Sequence, residues 1–318
     1  MNGCLPPLLH APKRGGMKPA PSSHPQSAPD RSGLPAGVAA YLIWGFLPLY
    51  LVLVRTVPAF EFVGWRIIWT LPLCLLIVAV RRQWPDVRSA IANLRIMAVL
   101  AASALLIGAN WLIYIWAIQH HFVFAASLGY YINPLVNVLL GTLVLGERLN
   151  TRRWLAVGLT ACGVALLAAG ALTTLWISLS LAFSFGIYGL LRKQVPVGAL
   201  PGLTIESAIL FLPACAVVGW YAAQPAGSSF GHDLWLSLAI MLGGVVTAIP
   251  LLLFAIAARR MDYSALGFIQ FLAPTIVFLL GLFVFHEPLQ PAQLGSFALI
   301  WAALALFVWD LLASRQRR

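Results

Sequence analysis

The stretch NWLIYIWAIQHHFVFAASLGYYINPLVNVLLGTLVLGERLNTRR, residues 110–153, decides how this chain reads. It holds two apolar runs, each long enough for the roughly 20 helical residues that cross a bilayer. Both runs nevertheless carry groups that lipid rejects: Asn110 and Tyr114 in the first, Tyr130, Asn133 and Asn137 in the second. Asn110 and Tyr114 stand one helical turn apart on one face, and Tyr130, Asn133, Asn137 and Gly141 form another one-sided stripe. Each stripe must face protein or water rather than hydrocarbon. Such groups either bond neighbouring helices as packing glue or line a cavity that receives a solute.

The second half of the chain repeats the pattern. A shift of 140 positions lays residues 96–168 on 236–308 without a gap. Pro134 then meets Pro274, Gly141 meets Gly281, Glu147 meets Glu287, Tyr130 meets Gln270 and Asn110 meets Pro250. A helix, a polar break and a helix used twice is the pattern of transporters whose binding site lies between structural repeats.

Composition sets the surroundings. Hydrophobic residues make up 61% of 318 positions and charged residues 9%, where a soluble domain has roughly 45–50% and 25%. This is the composition of an all-α polytopic membrane protein. Ten transmembrane helices are expected, at 35–54, 61–80, 96–118, 122–145, 153–170, 174–191, 203–222, 234–257, 263–285 and 292–311. With the N-terminus inside, 18 of the 20 lysines and arginines fall in inner segments, leaving Arg55 outside and Arg66 within a span. The net charge of +11 is thereby a topology signal of the positive-inside kind and implies no nucleic-acid partner. Both termini are expected on the inner, basic side.

Five spans per repeat is an odd number, so the second repeat must cross in the opposite sense, giving two inverted five-helix repeats. The expected division is a disordered cytoplasmic tail over 1–34, a first repeat over 35–170, a second over 171–314 and a basic cytoplasmic C-terminus over 315–318. The tail is rich in Pro and Ser and lacks the apolar core of a signal peptide; Met17 is an alternative start to Met1. Glu147 is expected to cap its helix on the inner side and Glu287 its counterpart on the outer side. Of four cysteines, Cys74, Cys162 and Cys215 lie in apolar runs and Cys4 in the tail, which gives neither a disulfide framework nor a metal pair.

Helix breaks add to the polar stripes. Pro48, Pro134, Pro250 and Pro274 stand near mid-span, where each frees the carbonyl four residues earlier, on Trp44, Tyr130, Val246 and Gln270. Irregular backbone at that depth is tolerated where it is buried or lines a cavity. The candidate substrate cavity therefore comprises Trp44, Asn110, Trp111, Tyr114, Tyr130, Asn133, Asn137 and Gln270. Arg66 lies roughly 8 Å inside its span by helix rise. It reads either as a snorkelling or helix-pairing arginine or as a group that recognises an anion. Glu61 and Glu206 are the other candidates for charge recognition or coupling, against the plain reading of solvated helix-end carboxylates. On that plain reading, Glu206→Gln costs less flux than Asn110→Ala or Tyr130→Ala.

No GxSxG elbow, Walker loop or paired zinc-binding histidine motif is present, so the sequence calls for no catalytic residue, metal or cofactor. The chain resembles the RarD-type permeases of the EamA branch of the drug/metabolite transporter superfamily. The stretches that carry the resemblance are YLIWGFLPLY (41–50), Glu61 with Trp65 and Arg66, NWLIYIWA (110–117), SLGYYINPLVNVLLG (127–141), Glu147-Arg148-Leu149, SFGIYGLLRK (184–193), PLLLFAIAARR (250–260), LGFIQFLAP (266–274) and Glu287-Pro288-Leu289. The resemblance implies ten helices, cytoplasmic termini, a cavity between repeats and inner-membrane permease activity. The expected function is a secondary transporter of a small organic metabolite or drug-like solute, working by alternating access. The alternative is a non-transporting receptor, assembly factor or intramembrane enzyme. The expected partners are a small-molecule substrate and the lipid bilayer, and a homodimer remains open.

Overall fold

The computed structural model describes residues 33–169, 172–286 and 291–316. The tail before residue 33, the Glu287-Pro288-Leu289 motif with its expected cap, and the last two residues of the basic C-terminus lie outside them.

Twelve helices follow one another among the described residues: α1 (Leu34–Leu51), α2 (Ala59–Val80), α3 (Trp84–Ala92), α4 (Leu94–Gln119), α5 (Val123–Leu143), α6 (Thr151–Ala168), α7 (Leu175–Gln194), α8 (Ala199–Ala222), α9 (Leu234–Arg260), α10 (Tyr263–Gln270), α11 (Leu272–Phe283) and α12 (Pro291–Gln316). Their starts have local causes. Pro35 sits in the first turn of α1, where its missing N–H costs nothing. Asn93, Asn150 and Asp233 accept backbone N–H groups at the starts of α4, α6 and α9. Phe271 separates α10 from α11, three residues before Pro274. Pro48, Pro134 and Pro250 lie inside continuous helices, as do Pro72 and Pro213.

Among the described residues, nine segments are long and apolar enough to cross a membrane, against the ten expected. α6 is not among them, because Arg152 and Arg153 occupy its first turn and lower its apolar content. The amphipathic α3 is also absent from the sequence reading; its Val87 and Ala90 are buried while its charged side chains stay out. Large apolar side chains such as Leu76, Leu105, Leu143 and Leu212 are exposed along the helices, which suits lipid and would be a liability in water.

The helices form one bundle. α2 packs on α8 and α9, α7 on α4 and α5, α1 on α9 and α11, α10 on α5, and α6 on α12. Gly243 and Gly244 let α9 approach α2 closely: a Cβ at Gly244 would lie 2.6 Å from the Trp69 backbone, and one at Gly243 would lie 3.0 Å from Arg66. At one end of the bundle stand Arg81, Arg82, Lys193, Arg259 and Arg260, here the basic end. At the other, the α8–α9 connection folds over the start of α2.

Candidate functional site

Arg66 enters the bundle from α2, about 10 Å by helix rise from the Ala59 end. Its guanidinium does not run back toward that end as a snorkelling side chain would. Nε donates to Thr247 Oγ1 on α9 at 2.8 Å, while Cζ lies 5.2 Å from the Trp111 ring centroid on α4 and 5.8 Å from that of Phe62. The hydroxyls of Tyr50, Tyr114 and Tyr130 are within electrostatic reach. Tyr114 and Tyr130 meet edge to face, with ring centroids 5.7 Å apart. No ion pair among the described residues includes Arg66, and its Nη1 and Nη2 are not among the sealed polar atoms of the interior. Tyr130 is 39% exposed although it sits on the polar stripe of α5, so the space beside it is open. Four of the residues singled out from the sequence, Arg66, Trp111, Tyr114 and Tyr130, thus converge from three helices.

The amides are placed differently. Asn110 donates through Nδ2 to the Leu181 carbonyl and to Ser184 Oγ, each at 2.9 Å, and Asn133 donates to the Ala182 carbonyl at 3.4 Å; both strap α7 to the helices before it. Asn137 donates to Gln270 Oε1 at 2.9 Å, and Tyr41 reaches the same oxygen at 3.4 Å. All four amide side chains are buried. Trp44 joins Tyr41, Phe185 and Phe254 in an aromatic cluster, with centroids 5.4–6.0 Å from its ring.

The acids depart from the plain sequence reading. Glu61 is 0% exposed and holds the α8–α9 connection: Ser228 Oγ, Ser229 N and Ser229 Oγ donate to it at 2.7–2.8 Å, and Trp65 Nε1 at 3.2 Å. Glu206 is 2% exposed; Ser103 Oγ donates to it, and Arg192 Nη1 lies 3.6 Å away. Neither is a solvated helix-end carboxylate, because a folded connection covers one and α4 and α7 cover the other. Arg192, counted by position with the loop cations, is itself 0% exposed and donates through Nη2 to the Ala199 carbonyl. A small cavity of about 10 Å³, room for one water, runs from Trp111 past Thr70 and Tyr188 to Glu206.

Glu147 also differs from expectation. It accepts from Tyr263 N at 2.6 Å, Ser264 N at 2.9 Å and Ser264 Oγ at 2.7 Å, capping α10 in the other half of the chain rather than its own helix. The hydrogen-bonding partners Thr247 and Ser103 carry no motif of their own, and only their position opposite a polar stripe could have flagged them, whereas Ser184 opens the SFGIYGLLRK stretch.

Residues 31–169 match the EamA-like transporter family. The RarD protein of Streptomyces exfoliatus is 42% identical over 287 residues, covering 90% of this chain and 91% of that one. The chain belongs to the RarD group of EamA-like transporters. An uncharacterized transporter of Bacillus subtilis, YojE, is 41% identical over 290 residues, covering 90% of this chain and 96% of the relative. A crystal structure with a TM-score of 0.68 and 20% identity covers 87% of this chain and 97% of its own, which supports the fold. The RarD-type chain is therefore a multi-pass membrane protein and a membrane transporter.

Proposed function

We propose that this RarD-type protein is a secondary transporter that moves a small organic solute across the inner membrane by alternating access between two inverted five-helix repeats. Both termini then face the cytoplasm, α6 is the tenth span, and the basic end is the cytoplasmic one.

The observation that carries the reading is the cluster of Arg66, Trp111, Tyr114 and Tyr130, contributed by α2, α4 and α5 of the first half and tied to α9 of the second half through Thr247, beside the interface where the repeat predicts a binding site. The packing supports it. Exchanging α1 with α7, α2 with α8, α4 with α9, α5 with α10 and α11, and α6 with α12 turns the α4–α7 contact into α9–α1 and the α5–α7 contact into α11–α1. The α2–α8 and α6–α12 contacts map onto themselves. Helices that pack in exchanged pairs can rock between two arrangements of nearly equal energy about a fixed site.

Solute flux into proteoliposomes tests the proposal, with a panel of neutral, anionic and cationic metabolites measured with and without a proton gradient. Saturable flux of at least one solute is expected. Binding of a solute without flux, across the whole panel, would indicate a receptor instead.

A further inference from the structure

We infer that the Arg66 cluster is a binding site for an organic anion, whose carboxylate rests on Nη1 and Nη2 while an apolar or aromatic body lies against Trp111, Tyr114 and Tyr130; the inference rests on the transport reading above and names its substrate class. A guanidinium inside a membrane-spanning bundle ordinarily has a carboxylate beside it, as Arg192 has Glu206 at 3.6 Å. Arg66 has none among the described residues. Glu61, five positions away on the same helix, is fully engaged by Ser228, Ser229 and Trp65.

The guanidinium is nevertheless held in a fixed pose. Thr247 takes Nε at 2.8 Å, and the rings of Trp111 and Phe62 flank Cζ at 5.2 and 5.8 Å. This fixes the plane of the fork and leaves its two outer nitrogens open. Two parallel N–H donors in one plane match a carboxylate bidentately. Tyr114 and Tyr130 add hydroxyls with no hydrogen-bond partner among the described residues and an edge-to-face ring pair at 5.7 Å. These faces reward a ligand with an apolar or aromatic body, a contact that a bare inorganic ion cannot use.

The test is binding to the purified full-length protein in detergent at constant ionic strength, read as the shift in apparent melting temperature and by calorimetry. The probes are phenylacetate, benzoate and hexanoate, each compared with its amide, together with inorganic phosphate. At least one acid is expected to stabilise the protein saturably while its amide does not. Arg66→Met should raise the half-saturating acid concentration about tenfold or more, the scale of a lost charge-assisted hydrogen bond. Arg66→Lys keeps the charge without the planar fork and should fall between; it also carries the test should Arg66→Met fail to elute as a folded species.

The inference is overturned if no acid shifts melting, if acid and amide act alike, if phosphate matches the acids, or if both variants bind the acid as the wild type does. Saturable flux of neutral solutes with no acid binding would remove the anion site and leave the transport reading standing. Acid binding with no flux of any solute would do the reverse.

Discussion

Arg192 and Glu206 carry the largest residue-scale risk in the bundle. Burying a charge costs several kcal/mol unless it is paired and hydrogen-bonded, and here the pairing is partial: Arg192 Nε and Nη1 and Glu206 Oε2 are sealed without hydrogen-bond partners. Gly202 makes room for the guanidinium, since a Cβ there would lie 2.0 Å from Arg192 Nη1. Glu206→Gln should therefore leave an uncompensated buried cation and destabilise the protein by about 3–5 kcal/mol. It should lower the apparent melting temperature more than Tyr130→Ala, whose side chain is 39% exposed. The double change Arg192→Met with Glu206→Gln should recover much of the loss, with the coupling read from a double-mutant cycle. Unchanged melting in Glu206→Gln would sink the charge-pair account. The sequence placed both groups near a helix end and so ranked Glu206→Gln as mild. Linear position gives depth along one helix, but it does not show that α4 and α7 pack over that end.

At the scale of an element, the polar stripes can be read from the period of 3.6, whereas proline alone does not say which helix is interrupted: Pro48, Pro134 and Pro250 lie in continuous helices, and only ahead of Pro274 does Phe271 separate two helices. What each stripe touches is not legible either, since a one-sided row of polar groups looks alike whether it meets a backbone carbonyl or an open space. Asn110 and Asn133 meet α7, while the hydroxyls of Tyr114 and Tyr130 lie within electrostatic reach of Arg66. The cap on α10 shows the same limit. Glu147 lies just beyond α5, yet its three acceptor contacts go to Tyr263 and Ser264, where free N–H groups and the helix dipole favour an anion. Close packing enforces the arrangement, with Glu147 Oε2 lying 2.7 Å from where a Cβ on Gly141 would stand. Asp262, next to this carboxylate, has its pKa raised above the ordinary aspartate range by burial and then by Glu147, with Arg153 and Lys193 opposing. Glu147→Gln keeps one acceptor oxygen and loses the charge, so we expect a loss of about 1–3 kcal/mol, seen as a lower melting temperature and faster amide exchange at 263–266. Exchange there at the wild-type rate would mean that the cap does not hold α10.

At the scale of the whole molecule, one end of the bundle is tied shut and the Arg66 cluster lies nearer the other. Three ties close the basic end: Glu147 on the start of α10, Tyr263 Oη donating to the Gly186 carbonyl at 2.7 Å, and Lys193 Nζ donating to the carbonyls of Ala258 and Met261 at 3.0 and 2.6 Å. Phe254 lies in the same layer and is 0% exposed, whereas Tyr130 is open. On the proposed cycle this is the state in which the cluster faces the end where Glu61 holds Ser228 and Ser229, because the ties lie at the basic end. In a background with the four native cysteines replaced, Tyr130→Cys should react with a membrane-impermeant maleimide from that end and much more slowly from the basic end. Phe254→Cys should resist from both. Right-side-out and inside-out vesicles give the two rates for each variant. A transported solute should change the ratio at Tyr130→Cys, because it binds both states while the cycle runs and can shift the population only by its differential affinity. Equal rates from both sides without solute would indicate an open pore, and a ratio that no solute alters would indicate a static scaffold; either result removes alternating access.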